Sequence, residues 1–114
     1  MNKYITEFIG TFFLVLTVGC TGIGAGAGVI APLAIGAALM VMVFAGGHIS
    51  GGAFNPAVAL GICVLGISSW GNIWIYLLAD FAAAVVAAVI FQLINQPLQT
   101  TPIATDEPPY ETPR

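Results

Sequence analysis

Gly46-Gly47-His48-Ile49-Ser50-Gly51-Gly52-Ala53-Phe54-Asn55-Pro56-Ala57 is too apolar for a solvated loop and too broken by glycine and proline for a membrane span. In hydrocarbon every backbone N–H and C=O needs a partner, so irregular backbone at membrane depth survives only where protein buries it or where it lines a water-filled cavity. Gly46 to Phe54 reads as such a backbone. Asn55 is a good helix N-cap and Pro56 an ideal first helical residue, because proline's missing N–H falls where helical donors are unpaired anyway and its φ is preset. Residues 56 to 64 then read as a short helix. Nine residues rise only about 13–14 Å at about 1.5 Å each, so this helix reaches half-way across a hydrocarbon layer of about 30 Å, with its N-terminus at the midplane. The alternative is that glycine and proline merely kink a core helix.

The flanks place that segment in a membrane. The chain has 114 residues, 59% of them hydrophobic and 6% charged, against roughly a quarter charged in soluble domains. Lys3, Glu7, Asp80, Asp106, Glu107, Glu111 and Arg114 are the charged residues, and Asp80 is the only fixed charge between Gly10 and Leu98. The net charge of -3 resides mainly in the last nine residues and points to no nucleic-acid partner. Three apolar stretches, near residues 5–22, 29–46 and 70–94, are each about the 20 residues a spanning helix needs. Thr21 to Gly28 forms a glycine-rich turn between the first two. The predicted class is an all-α membrane protein of three transmembrane helices and one re-entrant half-helix.

Met1 to Cys20 loosely imitates a signal peptide with a lipid-attachment cysteine, but Glu7 interrupts its apolar run and further membrane sequence follows. Tyr4, Trp70, Trp74 and Tyr76 read as interfacial anchors at the span ends. Ala83/Ala87 and Ala84/Ala88 bring small residues to four-residue spacing, which lets helix backbones approach closely in lipid. Residues 96–114 mix five prolines with threonine and acidic residues and read as a disordered acidic tail. Cys20 and Cys63 lie in apolar segments and read as small hydrophobes, with neither a metal site nor a disulfide implied.

A half-helix that begins at the midplane places a positive end of about half a charge beside the donors of the Asn55 amide. Water in a narrow pore would accept those hydrogen bonds, while the positive potential would oppose cations and protons. Broken helices facing a midplane site are a recurring device of membrane transport.

The block from Gly47 to Val58, ending Asn55-Pro56-Ala57-Val58, closely resembles the signature of the aquaporin (major intrinsic protein) family, and Glu7-Phe8-Ile9-Gly10-Thr11-Phe12-Phe13-Leu14-Val15 is similar to that family's first-helix motif. The resemblance covers residues 3 to 95 and implies the family's repeat: two spans, an Asn-Pro-Ala half-helix and a third span. It implies a pore in which two such motifs meet back to back. One copy is present here, so residues 1–95 are read as a half-aquaporin repeat, with the re-entrant loop and half-helix at 47–64. Residues 1–50 resemble a family first half, and Ala53 to Tyr76 resemble a second half, as an internal deletion near Gly47–Gly52 would produce.

The resemblance implies a role for each candidate site residue. Asn55 is the solute-orienting donor, and Pro56 and Ala57 shape the start of the half-helix. Glu7 accepts hydrogen bonds from the loop backbone, and His48 and Ser50 support the loop. Val58 stands where many water-selective members carry an arginine; Ile35 and Val43 align with the other constriction positions, giving an apolar constriction that favours dewetting or less polar solutes over strict water selectivity. Asp80 is expected either to pair across a subunit contact or to be protonated.

The function expected is passive conduction of water or small neutral solutes, with no cofactor and no enzymatic activity, since no nucleophile, metal cluster or phosphate loop argues for one. The expected partners are lipid, a small neutral solute, and either an inverted second copy of the chain or a full-length aquaporin. Lys3 and Arg114 fall on opposite sides of three spans, so the positive-inside bias is almost nil and dual orientation is permitted. The rival expectation is a non-conducting truncated or accessory subunit. The cytoplasmic membrane is the expected location, since neither an N-x-S/T acceptor site nor an organelle-targeting segment is seen.

Overall fold

The computed structural model describes residues 1–23 and 26–99, with only the backbone for 96–99. The described residues form four α-helices: α1 (Asn2–Gly22), α2 (Ala31–Ser50), α3 (Pro56–Val64) and α4 (Ile73–Gln99). Short 3-10 turns at Gly28–Ile30 and Trp70–Asn72 lead into α2 and α4. Among the described residues there is no strand, and three helices are long and apolar enough to cross a membrane. The chain is an integral, all-α membrane protein.

Each span forms for a local reason. The 21 residues of α1 rise about 30 Å, the thickness of a hydrocarbon core. Proline in the first turn of α2 costs no hydrogen bond, because the first N–H groups of a helix have no intrahelical acceptor. The hydroxyls of Thr6, Thr17 and Thr21 bond to carbonyls four residues earlier in α1, the means by which these polar side chains are satisfied inside a helix.

Helix α1 is the hub. It packs against both α2 and α4, while α3 lies on α4. Small residues line the α1–α4 seam: Ala79, Ala83 and Ala87 are fully buried, whereas Ala88 is exposed. Where backbones approach closely in lipid, dispersion contacts supply attraction that the hydrophobic effect does not. At the α1–α2 crossing a Cβ added to Gly46 would collide with the Thr6 side chain.

Three expectations change. Residues 46–50 are the last turn of α2, not irregular backbone. The helix ends only at Gly51, whose φ of 94° is left-handed and whose N–H reaches the Gly47 carbonyl at 2.8 Å. Helical backbone satisfies itself, so the irregular stretch shrinks to residues 51–55. Tyr76 is buried, so only Trp70 and Trp74 of the three rings opening the third span stay exposed. Finally, α4 continues through residues 96–99, and the remainder of the expected disordered tail lies outside the described residues.

Candidate functional site

Between α2 and α3 the helical backbone is broken for five residues, 51–55. Gly51 and Gly52 take φ of 94° and 66°, values that cost an L side chain strain, and Phe54 takes 49°. A left-handed aromatic residue is uncommon and persists only where its surroundings over-determine it.

Glu7, fully buried on α1, supplies that determination. Its Oε1 accepts the Ser50 hydroxyl at 2.5 Å and the Ala53 N–H at 3.1 Å, and its Oε2 accepts the Phe54 N–H at 2.6 Å. Two backbone donors that would otherwise be buried without a partner are thereby paired. The Ser50 oxygen in turn accepts the Gly52 N–H at 3.1 Å.

From the other side Tyr76 of α4 donates its hydroxyl to the Ser50 carbonyl at 2.6 Å, capping the C-terminal end of α2. Tyr76→Phe is expected to destabilise the fold by about 1–2 kcal/mol, the range for one buried hydrogen bond lost, read by thermal unfolding in detergent. An unchanged melting temperature would refute that anchoring role.

Sterics complete the clamp. The Phe54 ring, 1% exposed, lies against Gly10: a Cβ built on that glycine would fall 2.7 Å from Cγ of the ring and closer still to two other ring atoms. Glu7 and Gly10 therefore act together, the carboxylate holding the Phe54 backbone and the glycine admitting its ring.

The result of the clamp is the direction of Asn55. Its backbone is extended, with φ of −164°, and its side-chain Oδ1 accepts the Ala57 N–H at 2.8 Å as the N-cap of α3. A backbone N–H only donates, so the atom it meets is the carbonyl oxygen, which leaves the amide NH2 free to donate. Asn55 is exposed, as are Ala57 and Val58, and Pro56 is half-buried. Inward-facing Ala59 and Cys63 fix α3 against the rest of the chain, Ala59 packing into a cluster with Ala53 and Tyr76.

Other candidates lie at varying distance from this centre. Ser50 joins Glu7 directly. His48 is exposed on the last turn of α2 and makes no side-chain hydrogen bond among the described residues. Val43 and Val58 are 44% and 47% exposed and Ile35 is half-buried, so all three apolar candidates retain free surface. Val43 stands beside the loop: its Cγ2 would lie 3.7 Å from a Cβ on Gly52. Among the described residues no group of three or more His, Cys, Asp or Glu side chains gathers as a metal site would require.

Sequence reasoning did not single out Gly10, Thr11, Phe54 or the role of Tyr76. Asp80 does not wait for another subunit: its Oδ1 accepts the Thr11 hydroxyl of the same chain at 2.7 Å. Glu7 with Thr11, and Tyr76 with Asp80, are each four residues apart. That spacing puts each pair on one helix face and gives a readable signal for a polar cluster between two spans.

The model of the major intrinsic protein family matches residues 1–91. Among curated proteins the chain is similar to "Probable aquaporin TIP1-2" of Oryza sativa subsp. japonica, 40% identical over 96 residues, covering 82% of this chain and 38% of that protein. It is 37% identical over 110 residues to "Aquaporin TIP1-2" of Zea mays, covering 89% and 43%. Against "Nodulin-26" of Glycine max it is 33% identical over 113 residues, covering 98% and 38%. The chain thus spans about two-fifths of the length of the curated relatives it matches. No solved structure matches it.

Proposed function

The chain belongs to the major intrinsic protein family, and from that premise we propose that it is a subunit of a passive transmembrane channel for water or small neutral solutes. Asn55 carries the reading: an exposed amide at the start of a half-length helix, its oxygen engaged by Ala57 and its NH2 directed outward. A solute oxygen arriving there meets hydrogen-bond donors and the positive end of α3 at once, which orients it and disfavours cations. Pro56 and Ala57 set the first turn that makes this possible, and Glu7 with Ser50 holds the turn rigid. His48, in the last turn of α2, borders the loop with its side chain exposed.

One half-helix encloses half a path. Relatives are more than twice as long as the matched region, and the proposed pore is completed by a second half, either another copy of this chain inserted the other way up or a full-length aquaporin. Val58, with Ile35 and Val43, is proposed to line the narrow part, where aliphatic side chains give passing water no replacement hydrogen bonds and so favour less polar solutes.

The experiment is stopped-flow light scattering of vesicles containing the purified chain, beside Asn55→Asp. Aspartate retains the N-cap oxygen but replaces the NH2 donors with a charged acceptor. Loss of a polar partner at about 1.4 kcal/mol is roughly tenfold, so solute entry is expected to fall by about that factor or more. Entry no faster than in empty vesicles would support the second reading, a non-conducting truncated or accessory subunit.

A further inference from the structure

Asp80 is fully buried, and its two oxygens differ. Oδ1 accepts the Thr11 hydroxyl, while Oδ2 has no hydrogen-bond partner. Asp80 borders the Glu7 cluster: Thr11, whose hydroxyl it accepts, stands one turn after Glu7 on α1, and Tyr76, one turn before it on α4, bonds the Ser50 whose hydroxyl Glu7 accepts. A carboxylate offers about four acceptor positions. On Glu7 three are filled, two on Oε1 by Ser50 and Ala53 and one on Oε2 by Phe54. An orphaned oxygen and an open acceptor position therefore sit on neighbouring carboxyl groups.

Two ionised carboxylates side by side in a water-poor interior repel strongly, and such pairs hold one proton between them. The backbone N–H groups of Ala53 and Phe54 can only donate, one to each Glu7 oxygen, which keeps both of these as acceptors. Thr11 spends its one hydrogen on Asp80 Oδ1. The atom left to carry the proton is Asp80 Oδ2.

We propose that Asp80 is a positioning residue of the re-entrant turn: a neutral carboxylic acid whose Oδ2–H donates to Glu7, adding a fourth hydrogen bond to the carboxylate that holds Ser50, Ala53 and Phe54. Glu7 is thereby fixed from behind by α4 while it fixes the loop in front. Asp80 touches no solute in this arrangement and acts only through Glu7. The inference deepens the site proposed above without requiring that the chain conduct.

The test combines infrared spectroscopy with thermal unfolding of the full chain in detergent at neutral pH. The carbonyl band of a protonated carboxylic acid is expected in the wild type and is lost in Asp80→Asn. Asparagine supplies an N–H donor toward Glu7 and a carbonyl toward Thr11, so its melting temperature should stay within about 4 °C of wild type, whereas Asp80→Leu, which supplies neither, should fall by about 10 °C. Should the leucine variant fail to accumulate, the band and the asparagine variant still decide. No acid band removed by Asp80→Asn, or an asparagine variant as damaged as the leucine one, would overturn the proposal. Solute flux is not read, so a non-conducting chain leaves the test intact.

Discussion

Glu7→Leu is expected to destabilise the fold by about 3–6 kcal/mol, because three donors lose their acceptor at once and each buried polar group left unpaired costs about 1–3 kcal/mol. The donors are the Ser50 hydroxyl and the backbone N–H groups of Ala53 and Phe54. Leucine is better tolerated than glutamate inside a spanning helix, so insertion of α1 should proceed and the loss should fall on residues 50–55. A melting temperature lowered by about 15 °C or more is the measurement, together with proteolysis near Gly51 that is expected to be faster than in the wild type. Glu7→Gln keeps one acceptor oxygen and should lose about half as much. An unaltered melting temperature for the leucine variant would mean that the loop is held by something other than its hydrogen bonds to α1.

Gly10→Ala is expected to be the most damaging single added carbon, at about 2–3 kcal/mol. The new Cβ would fall 2.7 Å from Cγ of Phe54, a ring that is itself fully buried and attached to a backbone at φ 49°. Displacing this buried ring would pull on the Phe54 N–H that Glu7 accepts. Because the two residues share one contact, their substitutions should be non-additive. Gly10→Ala combined with Phe54→Leu should be less destabilised than the sum of the single variants; simple additivity would refute the steric clamp. The melting temperatures of the three variants decide it.

The spans and the half-helix start were readable because each rests on short-range physics. Runs of some twenty apolar residues have one stable solution in lipid, and Asn55-Pro56 states a helix start by its cap and its missing donor. The end of α2 was less readable. Gly46 and Gly47 suggested broken helix, but in a membrane the backbone bonds of a helix outweigh glycine's freedom, and the break waits for Gly51, where φ must turn positive. The left-handed Phe54 had no local signal at all, since an aromatic side chain argues against that conformation and only Glu7 and Gly10 enforce it. Tyr76 resembled an interfacial ring because composition records the residue and not the direction in which the helix face turns. Helix α1 carries Thr6, Thr11, Thr17 and Thr21, and what distinguishes Thr11 is a partner 69 residues away.

That separation bears on how the protein is made. Chains enter the membrane from the N-terminal end, so α1 is in place before α4 emerges. A carboxylate at the centre of an isolated spanning helix opposes insertion by about 2.5–3.5 kcal/mol. Asp80 presents that difficulty to α4, and the Thr11 hydroxyl, already within the bilayer, relieves part of it by offering its hydrogen. Helix α1 thus serves as the receptor that admits α4, and biogenesis acquires a direction: the earlier of the two helices prepares the place for the later.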